Sequence, residues 1–419
     1  MWPISKSGRL DRLVVFISLD GACVPVGELV FEGRERSQSF FRYAGSWLEN
    51  RADRFALSPA LPLRARTALS TPFALPLPFY DAAPDGWGKS VLTQAYPQQI
   101  WGMAEFLAAA GEDRTGELSF GPDPRSQPQQ FVPSHASMIQ MPHEESSLED
   151  LLEAAEAVDE GRPRDHHLQL LFRTSADVGG ARPKTRIHKD GKSWIAKFPA
   201  IGDVFDDPRM EAACLDLAAA CGIETPDHDV VQVLGRSVLL VERFDRGQDG
   251  ERYGYMSAAT LVGHPPNEYH THVTYAELAA MAREVGIQPC EGDLFRRLLL
   301  NCFLHNTDDH LRNHAFLRRG SEWTLSPVYD LVPSSHGRLV MAPSTGTLPT
   351  PDPMMAMNAH TMFRLDWASA VEIYDEVVTG LSEIEQALDA REITAKDRET
   401  VRAMMPFAFN PPRLQTVPA

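Results

Sequence analysis

The residues best equipped for chemistry lie in the last third of the chain. The stretch Leu300-Asn-Cys-Phe-Leu-His-Asn-Thr-Asp-Asp-His-Leu-Arg-Asn-His314 starts as an apolar helix and runs into a polar cluster, then rejoins apolar Ala315-Phe316-Leu317. Asp308 and Asn313 stand five positions apart within it, and Asp330 follows in Ser326-Pro-Val-Tyr-Asp-Leu331. Carboxylate and amide oxygens suit a hard cation such as Mg2+. Asp308 would accept or orient the proton of an attacking hydroxyl, while Asn313 and Asp330 hold the metal. That set equips a chain to move a phosphoryl group from ATP.

Such transfer also needs a flexible loop and a lysine on the phosphates. The loop candidate is Ser175-Ala-Asp-Val-Gly-Gly-Ala-Arg-Pro-Lys184, where Gly179 and Gly180 let backbone approach an anion and Arg182 and Lys184 add positive charge. An ordinary turn is the competing reading, because the pattern is neither G-x-G-x-x-G nor a Walker loop. Lys197 ends the largely apolar strand Trp194-Ile-Ala-Lys-Phe198 and reads either as an inward charge or as an edge lysine facing solvent. Glu211 opens the next helix, either pairing with Lys197 or simply favouring the helix N-terminus. The Asp308-to-Asn313 spacing is that of kinase catalytic loops. Two other readings of the polar cluster stay open. His305, Asp309, His310 and His314 could bind a transition metal, or the cluster could be purely structural.

These residues must be carried by particular elements. Residues 12–19 and 39–43 read as strands, and Gly21, Gly27 and Gly33 punctuate the stretch between them. Helices are expected over 89–96 and 99–110, then a long Pro-, Gln- and Ser-rich connection over 121–147. Ser147 and Asp150 form a capping-box pattern for a helix to residue 159. Strands over 182–187 and 193–198 flank Asp190-Gly191, a two-residue hairpin signal. A helix over 209–220 stops at Gly222, and strands over 229–233 and 237–242 follow. Beyond Asp245 the pattern is helical except for a hairpin over 315–325. A glycine turn, a hairpin, a helix, two strands and then helices is the order in which a kinase small lobe leads into its large lobe. The expected fold is α+β and two-lobed, divided into a β-rich subdomain (1–125), a small lobe (126–245) and a helical large lobe (246–419).

A net charge of −17 argues against an autonomous nucleic-acid binder. Five scattered cysteines fit neither a disulfide framework nor a CxxC metal knuckle. No apolar run approaches the roughly 20 residues of a membrane span, and the first residues lack an apolar signal core. The expectation is a cytoplasmic protein with reduced thiols and no membrane partner.

Five segments together resemble the HipA family: Gly180-Ala-Arg-Pro-Lys184, Ile195-Ala-Lys-Phe-Pro199, Val241-Glu-Arg-Phe-Asp-Arg246, Asp308-Asp-His-Leu-Arg-Asn313 and Pro327-Val-Tyr-Asp330. The N-terminal segments Gly27-Glu-Leu29, Ala83-Pro-Asp-Gly86 and Gly111-Glu-Asp-Arg-Thr-Gly-Glu-Leu118 resemble it too. The resemblance covers about 12–380. It implies an Mg2+- and ATP-dependent Ser/Thr protein kinase, the toxin of a toxin–antitoxin pair. Asp308 looks like the catalytic aspartate, Asn313 and Asp330 like the Mg2+ ligands and Lys197 like the ATP lysine. Glu242 and Phe244 match the interlobe stretch that holds adenine, Lys184 and the glycines match the phosphate-side loop, and His310 is expected beside the nucleotide. The implied partners are a protein substrate such as an aminoacyl-tRNA synthetase and a HipB-like helix-turn-helix antitoxin, through which DNA is contacted. Where family loops often carry an autophosphorylated serine, this chain has Asp177. A degenerate kinase fold serving as an antitoxin-binding module and a small-molecule phosphotransferase are the alternatives.

Overall fold

The computed structural model describes residue 2, 9–19, 21–33, 36–49, 54–63, 69–70, 73–133, 146–175, 180, 182–247, 250–266 and 268–414. The chain forms two compact units. The first comprises Met1–Gly202, Gln232–Arg236 and Asp245–Met256; the second comprises Asp203–Val231, Ser237–Phe244 and Ser257–Ala419.

In the first unit, a five-stranded antiparallel sheet runs in the order Leu69–Ser70, Gln38–Tyr43, Ala22–Glu32, Arg12–Leu19, Leu118–Gly121. The Ala22–Glu32 strand is the longest among the described residues; Gly27, read as punctuation in the sequence, lies inside it, whereas Gly21 and Gly33 flank it at left-handed φ. Its register shifts opposite Val15 and Phe16, at Pro25-Val26. Proline has no N–H for the ladder, so a bulge there costs little pairing. Gly27 is required by packing: a Cβ would lie 2.5 Å from the Arg42 carbonyl and 2.6 Å from the Phe41 ring. Leu13, Val15, Ile17, Phe41, Trp47, Phe79 and Phe120 build the core beneath this sheet. Helices Gly86–Ala95 and Met103–Ala109 add Leu92, Leu107 and Ala108 to it. The second begins later than its pattern suggests, after extended Gly102.

The Leu148–Asp159 helix starts at the expected capping box, with the Ser147 side chain accepting from Asp150 N–H and the Asp150 carboxylate accepting in return. A further helix, Asp165–Thr174, lacks a strong sequence signal and takes His166 and His167 into its first turn. The hairpin Lys184–Lys189 and Lys192–Lys197 turns through Asp190 (φ 52°) and Gly191 (φ 75°), the double left-handed geometry that Asp-Gly favours. Residues 245–256 return to this unit and clamp the loop before Leu118. Asp245 Oδ2 accepts from Gly116 N–H at 2.7 Å. The Arg246 guanidinium donates to Asp113 Oδ1 at 2.9 Å and to the Arg114 carbonyl at 2.6 Å. Arg186 donates to the other Asp113 oxygen at 2.7 Å. Arg252 binds the Gly116 and Leu118 carbonyls at 2.8 and 2.9 Å.

The second unit is mainly helical. Asp207–Ala220, Glu291–Phe303, Trp367–Leu381, Ile384–Ala390 and Ala395–Met404 are its principal helices, joined by strands His228–Val233 and Arg236–Glu242 and by the hairpin Ala315–Arg319 and Glu322–Leu325. Phe295 packs on Phe363 and Phe303 on Tyr374, at ring separations of 5.2 and 5.6 Å. The Trp367–Leu381 helix approaches the end of Asp207–Ala220 so closely that a Cβ on Gly380 would lie 2.6 Å from the Cys221 nitrogen. Among the described residues no helix is long and apolar enough to cross a membrane.

Candidate phosphotransfer site

In the first unit the hairpin register makes Lys184 and Lys197 direct cross-strand partners, so both side chains leave one face of the pair. Gly180 lies at φ 86°, and a Cβ there would fall 2.6 Å from Lys184 Nζ. The ammonium therefore folds against the glycine backbone, whose carbonyl accepts from Trp87 N–H at 2.8 Å. Two lysines thus share one face of the hairpin beside a left-handed glycine. Gly179 and Asp177 lie outside the described residues.

In the second unit the Glu291–Phe303 helix delivers the polar cluster. Its end is turned by His305 at φ 52°. Asn306 N–H returns to the Asn301 carbonyl at 2.9 Å, and Asn306 Nδ2 donates to Asn301 Oδ1 at 2.9 Å. Thr307 Oγ1 donates to the His336 carbonyl at 2.9 Å, and its own carbonyl accepts from Val340 N–H at 3.0 Å. Asp308 is thus presented on a loop fixed from both sides. A single 3-10 turn, Leu311–Asn313, follows, closed by Asn313 N–H on the His310 carbonyl at 2.8 Å. Asn313 is buried.

His310 and Asp330 each come within electrostatic reach of Asp308. Burial pushes the Asp308 carboxyl above its ordinary range; Asp330 and Asp309 add like charge, against the pull of His310 and His336. Asp330 sits at φ 59°, unusual for a residue with a side chain. Its N–H donates to the buried Glu211 carboxylate at 3.2 Å, which joins the first turns of the Asp207–Ala220 helix to this carboxylate. Tyr329, next to it, donates its hydroxyl to the Arg312 carbonyl at 2.7 Å and sets its ring 5.4 Å from Phe244. Phe244 is thereby brought to the same neighbourhood, while the Glu242 N–H pairs with the Asp227 carbonyl at 2.8 Å.

The residue after Asp308 has a different task. Asp309 is buried and accepts from the Tyr275 hydroxyl, from Asn301 Nδ2 at 2.9 Å and from His314 Nε2 at 2.8 Å. Burial raises its carboxyl, but His314, the Tyr275 hydrogen bond and His310 bring it below the ordinary range. Asp309 and His314 are therefore spent on each other, and His305 Nδ1 lies 2.8 Å from the Ser334 carbonyl. Among the described residues no three His, Cys, Asp or Glu side chains form a metal-holding group, so the transition-metal reading of this cluster loses its ligands.

Sequence reasoning overlooked Tyr269 and Tyr275, and took up Tyr329 within Pro327-Val-Tyr-Asp330 without giving it a role. Only Tyr329 carried a signal, as the residue preceding Asp330.

The profile of the HipA-like C-terminal domain matches residues 176–391, and that of the HipA N-terminal domain matches 17–121. The chain belongs to the HipA family. The HipA chain from the Shewanella oneidensis toxin–antitoxin complex of HipA, HipB and operator DNA superimposes with a TM-score of 0.66 at 18% identity, over 94% of this chain and 95% of that one. This HipA-family chain therefore has the HipA fold, α+β with β-sheets in its N-terminal part and helices in its C-terminal part. The Sinorhizobium fredii protein named "Putative kinase Y4mE" is 27% identical over 176 residues, 40% of this chain, and the match spans 38% of that relative's length. The Helicobacter pylori proinflammatory kinase CtkA aligns at a TM-score of 0.41 and 13% identity, over 55% of this chain and 89% of that one.

Proposed function

We propose that this HipA-family chain is an ATP- and Mg2+-dependent Ser/Thr protein kinase acting as the toxin of a toxin–antitoxin pair. The gathering of Asp308, His310 and Asp330 around one 3-10 turn is the observation that carries this reading. The donor set fits the cation. Neighbouring carboxylates that raise each other's affinity for protons gain from a cation between them, and Asn313 contributes an amide oxygen of the kind Mg2+ accepts. When bound, Mg2+ would be held by Asn313 and Asp330 and would neutralise phosphate charge.

The chain's own residues supply the rest. Asp308, with its carboxyl raised by burial, takes or orients the proton of the acceptor hydroxyl. Lys184 and Lys197 hold phosphate oxygens, with Gly180 admitting them to the backbone. His310 lies beside the nucleotide; its Nδ1 is buried and has no hydrogen-bond partner among the described residues. Glu242 and Phe244 hold adenine, and Glu211 fixes Asp330 through its N–H. In this reading 1–125, 126–245 and 246–419 are the N-terminal subdomain, small lobe and large lobe.

The Shewanella assembly of HipA, HipB and operator DNA supports a HipB-like antitoxin as the partner; in this reading it is a helix-turn-helix protein through which DNA is contacted. A translation component such as an aminoacyl-tRNA synthetase is the proposed substrate, and the cytoplasm the proposed location. The test is transfer of γ-labelled phosphate from Mg2+–ATP to the chain itself and to a cell lysate, beside Asp308→Asn and Asp330→Ala. Label lost in both variants supports the kinase. ATP binding without transfer to any protein sinks it in favour of an antitoxin-binding module or a small-molecule phosphotransferase.

A further inference from the structure

Asp308 already has a hydroxyl on it. The Tyr269 phenol donates to Asp308 Oδ1. Tyr269 lies in irregular chain between the helices Ala258–Val262 and Tyr275–Glu284. Its ring meets His310 edge-on at 5.7 Å and His270 at 5.3 Å. Neighbouring backbone is tied to the same place, because the Arg312 guanidinium donates to the Pro266 carbonyl and His264 Nε2 lies 3.2 Å from the His270 carbonyl. Yet the tyrosine is 45% exposed. Apolar burial does not account for its position, whereas the polar contact with Asp308 does.

An acceptor hydroxyl must reach hydrogen-bond distance of the carboxylate that takes its proton. The Tyr269 oxygen occupies that distance now. We propose that Tyr269 is an internal occupant of the acceptor subsite, competing with the substrate hydroxyl for Asp308; this rests on the phosphotransfer function proposed above. The competition sets acceptor affinity. Serine and threonine carry the hydroxyl on Cβ, so their backbone must enter the space now filled by the Tyr269 ring. An acceptor therefore reaches Asp308 only if its other contacts offset displacement of that ring. Every acceptor meets the same cost, so the competition raises KM for all of them alike without changing their ranking.

The experiment compares wild type with Tyr269→Phe and Tyr269→Ala in the full chain. Steady-state transfer from Mg2+–ATP to dephosphorylated casein is measured. Both variants should lower the casein KM by about three- to tenfold, leave the ATP KM unchanged and not reduce kcat. An unchanged or raised casein KM, or a fall in kcat, overturns the proposal, since Tyr269 would then help bind the acceptor or position Asp308. A second measurement needs no turnover. Tetranitromethane modifies phenolate, and a carboxylate acceptor keeps the phenol protonated, so nitration of Tyr269 should be faster in Asp308→Ala than in wild type. Equal rates overturn the contact. Faster nitration with no phosphoryl transfer by any variant keeps the Tyr269–Asp308 pairing, but overturns its assignment as an acceptor subsite together with the kinase reading.

Discussion

Lys184 and Lys197 face each other as direct partners across a two-stranded hairpin, and the Lys184 ammonium folds onto Gly180. Like charges directly opposite one another are unfavourable in a sheet. An arrangement that places two on one face beside a left-handed glycine is suited to a polyanion.

Saturating Mg2+–ATP should therefore raise the melting temperature of the wild type by several degrees, as any ligand of the native state does. Lys197→Met and Lys184→Met should each abolish most of that increment. Gly180→Ala should do so too, because its Cβ would meet Lys184 Nζ. Differential scanning fluorimetry with and without nucleotide checks this. An increment retained in all three variants would remove the phosphate role of this hairpin.

Asp309 anchors the Asp308–Asn313 loop from behind. Asp309→Ala would leave the Tyr275 hydroxyl, Asn301 Nδ2 and His314 Nε2 without their shared acceptor in a buried site. Breaking a buried charged network in this way costs about 3–5 kcal/mol. Urea unfolding should show that loss, and Asp308→Asn should show much less, because Asp308 lies in a more open place. Equal destabilisation by the two would contradict this division of labour.

Helix–helix packing gives a third expectation. At Gly380 alanine improves helix propensity by about 1 kcal/mol. Its Cβ would nevertheless stand 2.6 Å from the backbone of Ala220 and Cys221, where nothing flexible can yield. Overpacking of that kind costs about 1–3 kcal/mol, so Gly380→Ala should be less stable than wild type by thermal unfolding.

The sign of a pH effect follows from Asp216, His228 and Arg391. Burial raises the Asp216 carboxyl, but hydrogen bonds from Arg391 and His228 outweigh it and pull the group to about 2. Burial lowers His228, but Asp216 and the Pro226 carbonyl outweigh it, leaving a net upward shift from 6.5. Asp216 therefore contributes stability above its unfolded value of 3.8 and loses it as pH falls toward about 2. His228 contributes fully below 6.5 and loses its part as pH rises through the higher folded value. Chemical unfolding across pH should show this pair's contribution complete between about 4 and 6.5 and falling on each side of that window. His228→Gln should flatten the alkaline side and weaken the acid side, because His228 is one of the two groups that hold the Asp216 carboxyl down.

Short-range chemistry was the part of the fold most legible in the sequence. Asp190-Gly191 sets its hairpin through two left-handed residues, and Ser147 with Asp150 sets a helix start, because both signals act within four residues. The Ala22–Glu32 strand was hidden because Gly27 inside it serves packing rather than a turn, whereas Gly21 and Gly33 on its flanks do break the extended chain. The Asp165–Thr174 helix was hidden because its first turn is polar and buries little. At the site, the sequence singled out Asp308, Asn313 and Asp330 by spacing, and the structure puts Asp308 on the loop before the 3-10 turn that ends at Asn313. Tyr269 and Tyr275 were not legible. Each reaches its aspartate from more than 30 positions away, across a fold that no local pattern encodes.

The return of residues 245–256 to the N-terminal unit has a consequence for biogenesis. Asp113, Gly116 and Leu118 receive partners from Asp245, Arg246 and Arg252, which are synthesised long after the sheet they complete. At about 5–20 residues per second, the ribosome needs roughly three to ten seconds to pass from Gly202 to Met256. Through that interval the nascent sheet exists without its clamp, and the Asp207–Ala220 helix is made before the C-terminal helices it will pack against. The first unit is therefore completed only after part of the second has been synthesised.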